Sequence, residues 1–491
     1  VRILFTHSYF LRFDPKQWKQ QQPYPPLGTI QAAAVLRQAG HEVFLHDVMF
    51  EQHAGSIIPV LKNAKPEVVV IYDDGFNYLT KMCLTNMREA AFTMCGSAAE
   101  DGCKVVVCSS DATDHYEKYL DRGAGYVITG EGEQTLLELT GGLEQKKSVE
   151  LLNGLVFRKE DKTVVNPSRP VMRDLDSLPL PAWDLIDFKT YRKAWMKSMG
   201  YFSLNMNTTR GCPFHCNWCA KPIYGNRYNS RSPEHVMREI RLLKKTASMD
   251  HIWFCDDIFG LKPGWVNAFA DLVEKEKPGF TFKIQSRVDL LLQENNIAAL
   301  ARSGCRDVWV GAESGSQKIL DSMEKGTTVA QIYEATKLLK KHGIRPSFFL
   351  QFGYPGETRE DIDKTISMVM ELLPHDIGVS ISYPLPGTKF YETVKSQLKE
   401  KSNWTHSDEL MLMFRNNYPA SFYKALHRYI HKSYRAAQGM LELKSLLSNP
   451  ASINALSLKR IGSLPFYTSG KYYQRMKMKT HESVVEKSGQ Q

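Results

Sequence analysis

Three cysteines fall close together in the run Thr209-Arg210-Gly211-Cys212-Pro213-Phe214-His215-Cys216-Asn217-Trp218-Cys219. Clustered thiolates select iron–sulfur clusters or zinc. Three of them can hold three irons of a 4Fe-4S cubane and leave the fourth iron without a protein ligand. An open position is what a catalytic metal needs, because a substrate can occupy it. A structural zinc would require a fourth ligand at suitable spacing, and no second cysteine pair follows. His215 lies between two of the cysteines, where the geometry is awkward. The expected ligands are therefore Cys212, Cys216 and Cys219, on a cluster. The other six cysteines (Cys83, Cys95, Cys103, Cys108, Cys255 and Cys305) lie in or near apolar stretches and read as core thiols. This is not a disulfide framework.

The elements that must position this loop can be read from periodicity. At 491 residues, with 43% hydrophobic and 24% charged residues, the chain predicts an ordinary globular protein of two or three domains. Over residues 1–145 the expected strands are Arg2–Thr6, Val43–Asp47, Val68–Tyr72, Lys104–Cys108 and Tyr126–Thr129. Expected helices are Leu27–Ala39, Ser56–Asn63, Tyr78–Thr93, Asp114–Asp121 and Glu133–Leu143. Apolar strands alternating with amphipathic helices predict a doubly wound, flavodoxin-like (Rossmann-like) α/β domain, with its ligand site beyond the strand carboxyl ends. Residues 146–196, polar and then Leu178-Pro179-Leu180-Pro181, read as a Pro-rich linker. Over 197–400 the alternation resumes, with strands Phe202–Asn207, His251–Cys255, Thr281–Gln285, Asp307–Gly311, Ser347–Gln351 and Gly378–Tyr383, and helices such as Pro233–Lys245 and Val329–His342. Six such units predict a partial (β/α)6 barrel of TIM type, with chemistry at the strand carboxyl ends. Residues 401–491 read as helical and then irregular.

The net charge is +10, and Lys424 to Lys479 alone holds eleven Lys/Arg against one acid, Glu442. The rest is near neutral, which argues against a general nucleic-acid surface. In the tail, Tyr467, Tyr472 and Tyr473 interleave with Lys471, Arg475, Lys477 and Lys479. A solvated helix face followed by a mobile tail is the expectation, with a membrane-surface or acidic-substrate role left open. No apolar run reaches membrane-spanning length, and Val1–Phe5 reads as a buried strand rather than a signal peptide. A cytoplasmic location is expected.

The Cys-x-x-x-Cys-x-aromatic-Cys pattern, with Trp218 in the aromatic slot, resembles the radical S-adenosylmethionine (SAM) superfamily. The likeness continues over roughly residues 200–390. Phe254 to Phe259, with Asp256 and Asp257, is similar to the second-strand segment near the SAM amino group. Gln285-Ser286-Arg287 is similar to the third-strand segment, where a basic residue meets the SAM carboxylate. Gly311 to Ser316, with Glu313 and Ser314, looks like the fourth-strand signature. Gln351 and the turn Gly353-Tyr354-Pro355-Gly356-Glu357-Thr358 look like the fifth-strand turn behind the adenine. Taken singly these residues have plainer roles: Asp256 and Asp257 as helix caps, Glu313 as a buried carboxylate bonded to backbone, Arg287 as a surface ion pair.

The N-terminal segment Tyr24-Pro25-Pro26-Leu27-Gly28, then Gly40 to Val43 and Asp47, and finally Gly130-Glu131-Gly132-Glu133-Gln134-Thr135, resembles the cobalamin-binding domain that precedes radical SAM barrels. That family includes the anaerobic magnesium-protoporphyrin monomethyl ester cyclase and many methylases, and Leu178 to Asp184 is similar to its linker. The resemblance implies cobalamin contacts from Pro26, Leu27, Gly28, Ser109, Ser110, Thr113, Gly130, Glu131, Gly132 and Glu133. Two departures stand out. His7 has Phe5 and Phe10 where a cobalt-ligating Asp-x-His-x-x-Gly loop has Asp and Gly, so no histidine is expected on cobalt. Cys108-Ser109-Ser110-Asp111-Ala112-Thr113 replaces a Gly-Gly-Pro-His-Ala-Thr-like turn.

The implied cofactors are a 4Fe-4S cluster, SAM and cobalamin. The implied activity is methylation of an unactivated carbon of a small biosynthetic metabolite, with methylcobalamin as donor and the 5′-deoxyadenosyl radical as hydrogen abstractor. The alternatives are an oxidative cyclisation or hydroxylation without methyl transfer, and a cofactor-binding sensor without turnover. An apolar or aromatic substrate fits the Tyr-, Phe- and Met-rich C-terminal region, and a flavodoxin or ferredoxin fits as reductant. No acid, base or nucleophile is singled out as catalytic.

Overall fold

The short apolar runs at the start of the chain fold as parallel strands because both of their faces are covered. Val68 to Ile71 are at most 1% exposed. This computed structural model describes residues 1–73, 75–76, 84–293, 295–398, 404–405, 413–448 and 454–488, the last six by backbone alone. Strands β1 (Arg2–Thr6), β2 (Glu42–His46), β3 (Val68–Tyr72), β4 (Lys104–Cys108) and β5 (Tyr126–Ile128) pair in parallel in the order β2-β1-β3-β4-β5. That is the expected flavodoxin order.

The expected linker holds two further strands, which corrects the sequence reading. β6 (Leu155–Lys159) and β7 (Lys162–Val165) form an antiparallel hairpin, and β6 pairs antiparallel with β5, so the sheet has seven strands. The hairpin turn is Glu160-Asp161, both at positive φ (49° and 63°). A two-residue turn of that kind is usually signalled by Asn-Gly or Asp-Gly, and positions 160–161 carry neither. Residues Phe188–Met199, in the same stretch, form a helix.

Two more boundaries move. The helix expected over Tyr78–Thr93 runs Thr85–Glu100, with 78–83 outside the described residues. The helix expected from Asp114 begins at Ser110, because the Ser109 hydroxyl caps it by accepting from the Ala112 amide at 2.9 Å.

The second sheet is six-stranded, all parallel and in chain order: β8 (Ser203–Met206), β11 (His251–Phe254), β12 (Thr281–Ser286), β13 (Cys305–Glu313), β14 (Arg345–Phe352) and β15 (Asp376–Ile381). β9 (Thr209–Arg210) and β10 (Asn229–Ser230) form a small separate ladder that brackets the cysteine loop. Along β12 buried and half-buried residues alternate: Phe282, Ile284 and Ser286 are buried, whereas Lys283 and Gln285 stay accessible on the other face.

Both sheets share one hydrophobic cluster. The Pro23–Pro26 segment crosses from one to the other. The Pro23 carbonyl accepts from the Trp195 indole (2.6 Å), and the Pro25 carbonyl accepts from the Asn205 amide (3.0 Å). The tail is more regular than expected. Helices Ala420–Ser448 and Leu464–Ser488 run antiparallel, with Gly439 against Leu464 and Gly470 against Lys432, so there is no irregular end among the described residues. No helix of the described residues is long and apolar enough to cross a membrane. Cys95, Cys108, Cys255 and Cys305 are buried and Cys103 is half-buried, as core thiols should be; Cys83 lies outside the described residues.

Candidate functional site

The cysteine loop leaves the carboxyl end of β8 and is tied down at both ends. At its start Asp256, after β11, accepts from the Thr208 amide (2.7 Å), the Thr208 hydroxyl (2.6 Å) and the Thr209 amide (2.8 Å). Asp256 is therefore neither a helix cap nor a free carboxylate: it anchors the loop. Burial raises its pKa to about 6 against those three hydrogen bonds. Its neighbour Asp257 is exposed. Gly211 sits at φ 78°, and a Cβ there would land on the Arg227 carbonyl oxygen. At the far end Asn217 donates to the Ser322 carbonyl (2.7 Å), accepts from the Tyr354 hydroxyl (2.9 Å), and receives the Phe390 amide on its own carbonyl (3.0 Å). Trp218 packs against the cluster of Ile319, Met323, Tyr354, Phe390, Val394 and Phe414.

Cys212, Cys216 and Cys219 are all half-buried. Burial raises the Cys212 thiol, with the Cys216 thiol among the lesser contributors. No three His, Cys, Asp or Glu side chains among the described residues converge as they would around one metal ion.

Positive charge surrounds the loop. Arg287 is buried, not on the surface: its guanidinium lies 3.6 Å from the centre of the Phe214 ring, donates to the Lys325 carbonyl (2.8 Å) and lies 3.9 Å from Cys216 Sγ. It also pairs with Asp289 at 3.0 Å. Glu313, held at φ 57°, takes Lys325 Nζ at 2.9 Å, so its partner is this ammonium rather than the backbone. Lys325 in turn stands over the Trp218 ring (5.8 Å). Sequence reasoning missed Lys325, since nothing in Met323-Glu324-Lys325-Gly326 marks it. Among the remaining expected SAM contacts, Ser314 bonds Thr365 (3.1 Å) and Gln351 donates to Ser382 (3.0 Å), while Ser286 is buried and Pro355 half-buried. At the fifth-strand turn, Gly353 has φ 75° and its amide donates to Glu357 at 2.6 Å. Burial raises Glu357 to about 8.

At the carboxyl edge of the first sheet, several expected cobalamin contacts have other partners. Arg210, two residues before Cys212, forms a buried ion triad with Glu131 and with Glu133 (2.6 Å) from the turn after β5. Glu131 also accepts the Met172 amide (2.5 Å). These two carboxylates, read as cofactor contacts, join the sheet edge to the cysteine loop. Gly132 in the same turn has no room for a side chain: a Cβ would meet Cys108 Sγ at 2.6 Å and Tyr72 at 2.9 Å. Besides capping its helix, Ser109 offers its carbonyl to the Thr113 hydroxyl (3.0 Å), which accepts the Gly130 amide (3.4 Å). Ser110 differs: its hydroxyl oxygen is buried with no hydrogen-bond partner among the described residues. Pro26, Leu27 and Gly28 are buried at the start of the Leu27–Gln38 helix. His7 Nε2 lies 2.9 Å from Asp47, the residue just after β2, and Asp47 also takes the Tyr191 hydroxyl (2.7 Å).

The half-buried face of the second sheet is aromatic around Lys283. Lys283 Nζ lies 5.3 Å from the Tyr24 ring centre and 5.1 Å from that of Trp253, and no carboxylate is within ion-pair range among the described residues. Asp307 is taken by Arg345 at 2.6 and 2.7 Å. Burial pushes Lys283 down to about 8. Near it, Asn205 Oδ1 and His251 Nε2 are buried with no hydrogen-bond partner among the described residues. Across the sheet Trp309 stacks on Phe349 (4.7 Å). The alternation Phe282-Lys283-Ile284-Gln285 was the available signal for Lys283 and was not used.

Comparison with known proteins agrees with this geometry. The Radical SAM superfamily profile matches residues 206–369. An uncharacterized methyltransferase of Pyrococcus horikoshii is 29% identical over 390 residues, 77% of this chain and 81% of that protein. The anaerobic magnesium-protoporphyrin IX monomethyl ester cyclase of Rubrivivax gelatinosus is 26% identical over 283 residues, 56% of this chain but only 49% of the cyclase. The radical SAM methyltransferase TsrM of Kitasatospora setae, solved with cobalamin and a 4Fe-4S cluster, shares the fold with a TM-score of 0.68 at 18% identity, over 80% of this chain and 78% of TsrM. The three-cysteine loop and the β9–β10 ladder that brackets it lie within the matched stretch, so residues 206–369 of this chain form a Radical SAM superfamily domain.

Proposed function

We propose that this enzyme is a cobalamin-dependent radical SAM methyltransferase that acts on an unactivated carbon of a small metabolite with an apolar or aromatic body. The reading takes residues 197–400 as a partial barrel and 1–145, extended by the β6–β7 hairpin, as the cobalamin domain. One observation carries it. The Arg210–Glu131–Glu133 triad joins the loop expected to hold the cluster to the strand-end turn expected to hold cobalamin, so the two cofactor sites abut.

Both sites suit their groups. Cys212, Cys216 and Cys219 would each hold one iron, leaving the fourth for SAM. Ser110, with its unspent buried hydroxyl, and the Gly130 turn would meet the corrin amides, while the other hydroxyls at this edge hold the protein itself together. When bound, the cluster supplies reductive cleavage of SAM and cobalamin supplies the methyl group. The chain's own part is positioning and charge. Arg287 and Lys325 place two cations beside the cysteine loop, where an incoming carboxylate would share them with Asp289 and Glu313. The Gly353 turn lets the backbone approach Tyr423 and Asn416, which fill the space a side chain would take. Trp309, Phe349 and Trp253 offer the apolar wall that keeps water from a carbon radical, and Lys283 offers one polar anchor.

The test is an anoxic incubation of the reconstituted chain with reductant, cobalamin, SAM labelled in its methyl group and labelled water, with mass analysis of candidate metabolites. Methyl label in product supports the proposal. The likeness to the cyclase favours a second reading, oxidative ring closure, which would put water-derived oxygen in the product instead. A sensor would release no 5′-deoxyadenosine.

A further inference from the structure

Nine of the fourteen large apolar side chains left exposed among the described residues lie between Met440 and Met476. That concentration is not the scattered exposure normal for a protein surface. Four of them sit on the Leu464–Ser488 helix: Phe466 (64% exposed), Tyr472 (57%), Tyr473 (52%) and Met476 (63%).

Their spacing puts them on one face. Phe466 to Tyr473 is two turns, Tyr473 to Met476 is three residues, and Tyr472 to Met476 is four. Pro465, Ser469 and Thr480 share this exposed stripe and add no charge to it. Arg475 and Lys479 border it on one side and Lys477 on the other, all exposed. Lys477 lies over the Tyr473 ring (4.8 Å), and Lys432 reaches the Phe466 ring from the neighbouring helix (4.1 Å). The opposite face carries the buried Gln474 and Met478, toward the Ala420–Ser448 helix. Leu447, Leu456 and Leu458, more than half exposed, flank the connection between the two helices.

We propose that this face docks the enzyme onto the surface of an anionic lipid bilayer, lying in the headgroup region without crossing it. An aromatic and apolar stripe bordered on both sides by Lys and Arg is the composition of an interfacial helix: the rings and Met enter the acyl boundary while the cations meet lipid phosphates. Long basic side chains folded over aromatic rings keep their charges at the rim of such a stripe. A nucleic acid would match the charge and leave Phe466 and Met476 in water. A second copy would match the apolar stripe and set Arg475, Lys477 and Lys479 against like charges. The inference stands independently of the proposed reaction.

The test is flotation of the full chain, purified without oxygen, with vesicles of phosphatidylglycerol and phosphatidylcholine in equal parts, and with pure phosphatidylcholine. The chain floats with the anionic vesicles, not with the neutral ones, and added salt releases it. Phe466→Ser/Tyr473→Ser/Met476→Ser lowers partitioning by at least roughly tenfold. Arg475→Gln/Lys477→Gln/Lys479→Gln lowers it by roughly fivefold per charge at low salt. Both variants change exposed side chains only, and circular dichroism confirms that they fold. No flotation with anionic vesicles overturns the proposal, and so does equal flotation of the apolar variant. It is also overturned if light scattering finds a dimer that the apolar variant converts to monomer, since the stripe then belongs to a second copy.

Discussion

Replacing Arg210 with Met tests the coupling between the two sheets. Arg210, Glu131 and Glu133 are each no more than 6% exposed, and Arg210 faces both carboxylates at bonding distance. At an effective dielectric of 20, each such pair is worth about 4 kcal/mol. Removing the cation leaves two carboxylates in a site that already raises Glu131 through burial, despite Arg210. Part of the loss is relieved as they take up protons, so the net cost is about 3–5 kcal/mol near neutral pH. The sign with pH follows. In the variant the folded chain binds more protons than the unfolded chain above pH ~4.3, so its stability relative to the parent falls as pH rises from there. Hydrogen exchange of peptides over 126–135 and 207–214 reads the effect, as a rise in exchange of roughly two to four orders of magnitude. Adding Glu131→Gln and Glu133→Gln recovers at least half of the loss, because no unpaired charge is left and the acceptor for Met172 is kept. A cost below ~1 kcal/mol for the single variant, or no recovery in the triple, refutes the reasoning.

Lys283→Met is expected to stabilise the chain by about 2–4 kcal/mol at pH 7, because it removes a half-buried charge that has no carboxylate partner among the described residues. In the parent the lysine's folded pKa of about 8 lies below the unfolded value, so its penalty is full below pH 8 and fades between about 8 and 10.5; urea denaturation of parent and variant across that window should converge. Gly211→Ala is expected to cost more than ~2 kcal/mol and to lower iron uptake, since the added carbon meets the Arg227 carbonyl at a positive φ; unchanged iron content contradicts this. Asp256→Asn keeps one acceptor for the Thr208 and Thr209 amides and removes the acidic group. The parent gains stability as pH falls from about 6 towards 4, where the folded carboxyl holds a proton that the unfolded one releases, and the variant loses that gain.

The parallel strands were legible because continuous runs such as Val68-Val69-Val70-Ile71 have few other fates, and the cysteine loop was legible because its spacing is local. What stayed hidden depends on partners far apart in sequence. Glu131 and Glu133 are 77 residues or more from Arg210, and a carboxylate in a Gly-rich turn looks the same whether it meets a cofactor or an arginine. Asp47 supplies, from just beyond β2, the orienting acceptor that was sought two residues before His7. The β6–β7 hairpin was lost because Glu160-Asp161 makes its turn without glycine or asparagine. The Leu464–Ser488 helix was read as a loose tail because its charges suggested solvent on every side, whereas its packing face is carried by few residues, Gln474 and Met478 among them.

The most direct measurement is iron and sulfide analysis with electron paramagnetic resonance on the anoxically reconstituted, reduced chain, with and without SAM. The expected result is about four irons per chain and a cluster signal that shifts when SAM binds, with both lost in Cys212→Ala, Cys216→Ala and Cys219→Ala. Zinc in place of iron at those cysteines, or a cluster signal indifferent to SAM, contradicts the account.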